Sequence, residues 1–557
     1  VAHKLLALLG SDVARAAVAL AFLVDAAGDP DQGGTLWLEE EDPLLLLELE
    51  HVVEPLDTLP GEAVLFTARC DSGETLFVTS FRVVLGRRAL ALGNIADLRK
   101  AKPRTLVMVG RELRVLKVGL TSPGAFDKAF HVLKGLLLKN SLERCKTLCV
   151  SEEQRHGWSL FNEVAELQRM NIPDTLRLFD QSEEYSLCAT YPRHLIIPAD
   201  VSEETLQGSA AFRSHGRLPV VTWVHPTQGS LLARCAQPLT GLRNNSNTAD
   251  EELVAKLVKP TDEAKTLEHK QPSAFPFGGT SSSSFSYVIM DARSQMASMG
   301  NQVLGKGTEN PANYAGALVR FLNIGNIHTL RSSFEKLFAL ATSPPTQTDF
   351  YRAVSDTGWI QHVLAVLKAS TALASTLHDD ATNVLTHCSD GWDRTAQMCS
   401  LAMLLLDPYF RTLRGFAVLV EKEWCAFGHK FKDRTQTRFR NQEFSPVFTL
   451  WIDCVWQLTR QFPKEFEFNA AFLIAILDEV SSSRFGTFLF NSQRERHSAG
   501  VPQSTASIWS SVVMSDPAHR NEFFAPTRTR LEPSLSTKKV LLWTKYFFRH
   551  DPDHLIF

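Results

Sequence analysis

Residues 383–406 constrain the fold of this chain more than any other stretch: Asn-Val-Leu-Thr-His-Cys-Ser-Asp-Gly-Trp-Asp-Arg-Thr, then Ala-Gln-Met-Cys-Ser-Leu-Ala-Met-Leu-Leu-Leu. Val384, Leu385 and Thr386 suit a buried strand. Thr395 can start a helix whose Leu401, Leu404 and Leu405 share an apolar face. Between the two, Gly391 offers the backbone freedom a tight loop demands. A strand feeding a helix through so short a loop belongs to an α/β architecture. Other apolar runs, Leu218–Val224 and Tyr287–Met290, alternate with long helical patterns. The expected fold is therefore an α/β domain, a central twisted sheet flanked by helices.

The same segment carries chemistry. Cys388 and Arg394 stand in Cys-x5-Arg spacing, which suits a thiolate nucleophile paired with a phosphate-binding guanidinium. Spacing alone decides little, because Cys149 to Arg155 and Cys454 to Arg460 match it too. The second of these falls inside an amphipathic helix, where residues six apart lie on different faces. Only Cys388 sits between a strand and a helix, where successive N–H groups of Ser389, Asp390, Gly391 and Trp392 converge at a helix N-terminus, a geometry built for an anion. That dipole and Arg394 should lower the pKa of Cys388. Attack of sulfur on phosphorus, a cysteinyl-phosphate and its hydrolysis would follow. Asp390 and Asp393 lie in the loop itself, and a carboxyl beside a bound phosphate has its pKa raised, which suits a general acid.

The remainder of the chain is read more coarsely. Its 557 residues allow two to four domains. With 58 Lys and Arg against 61 Asp and Glu, the near-neutral balance argues against a nucleic-acid binder. The nine irregularly spaced cysteines form no CxxC or Cys/His metal pattern, which reads as a reduced intracellular protein without a metal or other cofactor. Residues 1–45 form an extension with a helical apolar segment. Asp12 and Arg15 interrupt that segment, so neither a membrane span nor a signal peptide is expected, and the initial Val reads as a missing start.

Residues 46–140 form a β-rich unit, with strands expected at Glu62–Cys70, Thr75–Ser80, Arg82–Leu85, Thr105–Val109 and Leu113–Gly119. A helix capped by Ser122 follows, with Pro123 at its first position and Phe126, Phe130, Leu133 and Leu137 on one face. This order resembles a pleckstrin-homology fold. Arg99, Lys100, Lys102 and Arg104 read either as a lipid-headgroup site or as a solvated charge run. Residues 141–157 are a linker, 158–557 the main domain, and 242–286 a flexible surface insertion within it. Ser445-Pro446 opens a helix whose Phe448, Trp451, Val455, Leu458 and Phe462 pack into the core.

His-Cys-Ser-Asp-Gly-Trp-Asp-Arg-Thr (387–395) resembles the active-site signature of the myotubularin phosphoinositide 3-phosphatases. The segments 212–223, 291–293, 325–328, 414–431, 445–469 and 485–490 are also similar, in the family's order. The resemblance implies an α/β cysteine-phosphatase domain preceded by a PH-GRAM domain. It implies action on phosphatidylinositol 3-phosphate and phosphatidylinositol 3,5-bisphosphate at a membrane surface. By motif position Cys388 is the nucleophile, Arg394 the phosphate clamp and Asp393 the acid. Headgroup contacts map to Asn301, Asn326, Ile327, Lys430 and Arg434.

The resemblance further implies a cytoplasmic protein, peripheral on endosomal or other membranes, and a homo- or hetero-oligomer with family members. Two departures stand out. The family's glycine-rich run after the first Asn is replaced by Val303-Leu304-Gly305-Lys306-Gly307, and Lys430 stands where close relatives carry Arg. A phosphotyrosine or dual-specificity phosphatase would use the same thiolate. A catalytically dead adaptor is disfavoured because the nucleophile and the arginine are both present.

Overall fold

The computed structural model describes residues 56–148, 150–258, 285–342, 349–436, 441–510 and 512–550. The expected N-terminal extension 1–45 and Cys149 lie outside them. Seven strands open the described chain: β1 (Val64–Arg69), β2 (Thr75–Thr79), β3 (Arg82–Leu85), β4 (Arg88–Ala91), β5 (Ile95–Ala101), β6 (Thr105–Gly110) and β7 (Val115–Gly119). They form two antiparallel sheets, β1-β2-β3-β4 and β5-β6-β7. Helix α1 (Pro123–Leu138) packs against them. The Ser122 side chain accepts the Ala125 N–H at 3.1 Å, so the helix starts at its expected cap. Leu76, Val78, Leu106, Met108, Ala129 and Leu133 make a separate small core.

Strands β4 and β5 escape the sequence pattern because their outward residues, Arg88 and Arg99-Lys100, interrupt the apolar alternation. Two of the four cations expected there have partners. Arg99 pairs with Asp97, and Lys100 reaches Asp127 at 2.6 Å while lying over the Phe126 and Phe130 rings.

The second sheet has seven strands: β8 (Leu176–Asp180), β9 (His194–Pro198), β10 (Val220–Val224), β11 (Leu231–Ala236), β12 (Tyr287–Asp291), β13 (Ala317–Phe321) and β14 (Asn383–Cys388). Their order is β13-β12-β14-β11-β10-β9-β8. The first four run parallel and the remaining pairings are antiparallel, so the sheet is mixed. β10, β11, β12 and β14 are buried along their whole length, which is why β10 and most of β12 read as continuous apolar runs rather than alternating ones.

Helices α2 (Gln295–Gln302), α3 (Ile327–Thr342), α4 (Trp359–His378), α5 (Arg394–Leu406), α6 (Phe431–Thr435) and α7 (Val447–Gln461) follow in chain order. All five apolar residues expected on the core face of α7 are buried. Helix α4 is long and apolar enough by length and composition to cross a membrane. It packs instead against α5 and α7, with Val363, Leu367 and Leu373 fully buried.

Two assignments need correction. The stretch read as a flexible insertion includes a helix, Thr248–Leu257, capped by Asn247 and seating Leu253, Val254 and Leu257 in the core. Its Asp250 is fully buried against Arg213 at 2.6 Å. The charges that made the segment look solvated hid this apolar face; residues 259–284 are outside the described chain. The linker 141–157 also carries short helices, Ser141–Lys146 and Glu152–His156, and buries Cys145.

The small β unit is docked on the main body through Gly93 and Asn94. Asn94 Nδ2 donates to the Asp478 carbonyl at 3.1 Å, and Ser481 Oγ donates to Asn94 Oδ1 at 2.7 Å. At Gly93 an added Cβ would lie 2.2 Å from the Ser481 carbonyl oxygen. We expect Gly93→Ala to lower the melting temperature, since overpacking of this kind typically costs about 1–3 kcal/mol. Gly124→Ala, whose Cβ meets nothing within 4 Å, should leave it unchanged or slightly raised. Thermal unfolding of the two variants side by side checks this.

Candidate active site

The parallel half of the sheet creates the site. Ala236 pairs with Cys388, and Asp291 pairs with both His387 and Phe321, so β11, β12, β13 and β14 end at the same level. The loops leaving them therefore gather beyond one edge, where α/β sheets collect their binding groups. Residues 389–393 occupy the centre of that edge, between β14 and α5.

The loop is held by groups that the sequence reading did not assign. Gly391 has φ +76°, and a Cβ there would stand 2.4 Å from the Cys235 carbonyl oxygen. Its own carbonyl accepts from Arg217 Nη2 at 3.0 Å and Arg234 Nη2 at 2.7 Å, both arginines being fully buried. Arg234 is balanced by Glu423, with which it shares a 2.6 Å ion pair. The Gln237 N–H donates to the Ser389 carbonyl at 3.1 Å, and the Ala292 N–H to that of His387 at 2.8 Å. His387 Nε2 meets Glu309 at 2.9 Å, and Glu309 also pairs with Arg213. Arg293, bidentate on Asp291, donates to the Gly307 carbonyl at 2.7 Å and to Gln237 Oε1.

The signal for these residues is present but faint. An arginine inside the otherwise apolar run Leu231–Ala236 must have a buried partner, because an unpaired guanidinium there costs too much. Which partner it finds is not written locally.

Cys388 is buried, and its sulfur accepts the Gly391 N–H at 3.3 Å. Burial by itself would raise the thiol pKa. Arg394 and the Thr395 hydroxyl outweigh that, so the net shift is downward and the thiolate is favoured. Arg394 opens α5 and is half-buried, its guanidinium donating to Ser389 Oγ at 3.2 Å and to the Ile324 carbonyl at 3.3 Å.

The carboxylates depart from the expected raised pKa. Burial pushes Asp393 up, but the Arg434 guanidinium and His429 hold it well below the usual carboxylate range. Arg434 is bidentate on it at 3.2 and 3.0 Å, and His429 Nδ1 lies 3.1 Å away. Asp390 is lowered as well: burial opposes ionisation, while His215, Lys306 and Ser214 favour it. The expectation weighed only a phosphate in the loop and not the basic side chains that pack beside each carboxyl.

The remaining expected residues divide. Trp392 is buried, its ring 4.6 Å from Lys430 Nζ and 4.8 Å from the His215 ring. Lys430 is partly exposed and faces the loop. Asn301, near the end of α2, is tied to the loop through Lys306: the Lys306 N–H donates to the Asn301 carbonyl, and Lys306 Nζ lies 3.8 Å from Asp390. Asn326 stands at the start of α3, where its Oδ1 accepts the His328 and Thr329 N–H groups. Ile327 begins that helix, and its carbonyl accepts from Ser445 Oγ.

Arg434 also needs correction. Expected at the headgroup, it is instead buried, engaged by Asp393 and, at 2.7 Å, by Glu443. Helix α6 is a single short turn that Lys430 precedes, so the partly exposed Lys430 and the buried Arg434 do not share a face. Cys454, the decoy inside α7, points its thiol at the Val363 carbonyl.

These shifts predict selective thiol chemistry. Burial drives the Cys70 thiol up to about 11 and that of Cys145 up to about 12, opposite to Cys388. Brief iodoacetamide treatment at neutral pH should alkylate Cys388 ahead of both, as read by peptide mass spectrometry. Arg394→Ala should abolish the preference.

A family model for the myotubularin-like phosphatase domain matches residues 143–497. Myotubularin of Xenopus laevis is 39% identical over 402 residues, 71% of this chain and 64% of the relative. Phosphatidylinositol-3,5-bisphosphate 3-phosphatase MTMR6 of Homo sapiens is 37% identical over 405 residues, 72% of this chain and 62% of the relative. The corresponding MTMR2 protein of Mus musculus is 38% identical over 402 residues, 71% and 59%. The chain thus spans less than two thirds of the length of these curated relatives. A match over this much of the chain, centred on a strand, a glycine loop and a helix that present a thiol beside an arginine, places it within one family: this chain belongs to the myotubularin-like phosphatases.

Proposed function

We propose that this chain removes the 3-phosphate from phosphatidylinositol 3-phosphate and phosphatidylinositol 3,5-bisphosphate. The observation that carries the reading is the Cys388 thiol, lowered in pKa and set at the mouth of a loop closed by Gly391 and Arg394 at the start of α5. The names of the relatives supply the substrate class.

In this mechanism the phosphate seats on the N–H groups of the loop, with Arg394 swinging from Ser389 to grip two of its oxygens. The thiolate attacks phosphorus as the bond from phosphorus to the inositol oxygen breaks. Asp393 hands its proton to that oxygen. Water then cleaves the cysteinyl-phosphate, Asp393 taking one of its protons, and inorganic phosphate leaves. The carboxyl must first be protonated, against the pull of Arg434 and His429. A phosphate dianion beside it supplies the opposing charge, and Arg434 holds its orientation.

Lys430 and Asn301 are assigned to the inositol ring and its further phosphate, with Trp392 as the surface under Lys430. Asn326 and Ile327 shape that side of the rim, and Arg434 acts on the headgroup only through Asp393. The β-rich unit is read as a PH-GRAM domain. Its contacts with the main body through Asn94 and Arg111 favour a scaffolding part over headgroup capture. We place the protein in the cytoplasm, peripheral on endosomal or other membranes, and in homo- or hetero-oligomers with family members.

Phosphate release from water-soluble short-chain phosphatidylinositol 3-phosphate, compared with a phosphotyrosine peptide, tests the reading. We expect turnover of the lipid headgroup and its loss in Cys388→Ser; preference for the peptide overturns the substrate assignment.

The general acid has its own test. Loss of such a group typically costs about 10²–10⁴ in rate when the leaving group needs a proton. An inositol alkoxide needs it and a nitrophenolate scarcely does. Asp393→Asn should therefore cripple lipid hydrolysis far more than nitrophenyl phosphate hydrolysis; equal losses would make Asp393 structural.

A further inference from the structure

Large apolar side chains are exposed at ten positions among the described residues, and five of them share one place beside the candidate site. Met296, Met299 and Val303 follow the i, i+3, i+7 spacing of one outward stripe on α2 and its first turn beyond. Leu304 continues it. Leu242 joins from the loop after β11, where a Cβ on Gly241 would lie 3.4 Å from the Gly305 Cα. These five are 60–84% exposed, whereas Ser298 on the opposite side of α2 is buried within reach of Arg293. A contiguous apolar patch on a protein surface marks something that covers it.

Its surroundings select the partner. Arg243, next to Leu242, is exposed, and Lys306, next to the stripe, is partly exposed and lies 3.8 Å from Asp390 of the loop. Apolar tips with cations at their border match a membrane of anionic lipid, where methyl groups enter the interfacial layer and cations meet headgroups. The patch is also continuous with the loop that would take a phosphate from such a surface. The two methionines are unbranched and polarisable, suited to a disordered acyl boundary.

We propose that Leu242, Met296, Met299, Val303 and Leu304 form a membrane-inserting lip that seats the Cys388 loop against an anionic lipid surface. This rests on the lipid reading given above. It adds that retention at the membrane is built into this rim, where Val303 and Leu304 stand in place of glycine-rich sequence.

The experiment uses the full chain and a Met296→Ser/Met299→Ser/Val303→Ser/Leu304→Ser variant. Both are sedimented with phosphatidylcholine vesicles carrying phosphatidylserine and phosphatidylinositol 3-phosphate, and both are assayed on those vesicles and on the dissolved short-chain lipid. Burial of even two such side chains supports about a tenfold effect or more. We expect vesicle binding and vesicle turnover to fall at least tenfold while turnover of the dissolved lipid is unchanged. Unaltered vesicle binding overturns the proposal, as does a parallel loss on dissolved lipid, which would make the patch part of the folded site. So does a patch-dependent dimer, seen by light scattering, that binds no vesicles.

Leu304→Trp adds a reading independent of folding in the multiple variant: its fluorescence should shift to the blue with vesicles and be quenched by brominated lipid. If the patch binds vesicles while the wild type fails to turn over dissolved lipid, the membrane lip stands and the proposed reaction falls.

Discussion

The carbonyl of Gly391 is the point on which the site depends. Its residue must turn through φ +76° with no side chain, because the Cys235 carbonyl lies where a Cβ would stand. Its oxygen is then gripped by two fully buried guanidiniums, Arg217 and Arg234. Fixing that oxygen turns the adjacent amide toward the Cys388 sulfur, which accepts from it at 3.3 Å. Two buried cations are expensive to maintain, and each is satisfied from a separate element: Arg217 also by the Thr190 and Phe427 carbonyls, Arg234 by Glu423. The loop geometry is thus a consequence of packing across the whole central sheet.

Charge around the loop is arranged in two layers. Deep groups, the Arg213–Glu309–His387 and Arg293–Asp291 sets, are neutralised among themselves and serve to place backbone. Groups beside the loop itself meet its two carboxylates: Lys306 and His215 lie against Asp390, and the buried Arg434 and His429 against Asp393. Asp393 and Asp390 are ionised in consequence.

Helix α6 links this chemistry to the small β unit. Arg434, within it, holds Asp393, and the Gln436 carbonyl just beyond it accepts from Arg111 at 3.3 Å. The docking of Gly93 and Asn94 on residues 478–482 fixes the position from which Arg111 reaches. The orientation of the candidate acid thereby rests on contacts that begin more than three hundred residues earlier in the chain.

Local order was legible in the sequence wherever neighbours in the chain decide it. The Ser122 cap, the apolar face of α7 and the passage from β14 through Gly391 to α5 each follow from spacing and residue type within one stretch. The Cys388–Arg394 pair was separable from the Cys454 decoy for the same reason, since only one of them sits between a strand and a helix. Strands β4 and β5 and the helix at 248–257 were obscured because charged outward residues masked a short inward pattern. Partners distant in sequence were not legible at all. Arg434 reads as a cation for the headgroup until the fold buries it on Asp393. Side-chain periodicity is a property of one element, whereas the partner of a buried charge is chosen by which elements meet. That choice belongs to the tertiary structure.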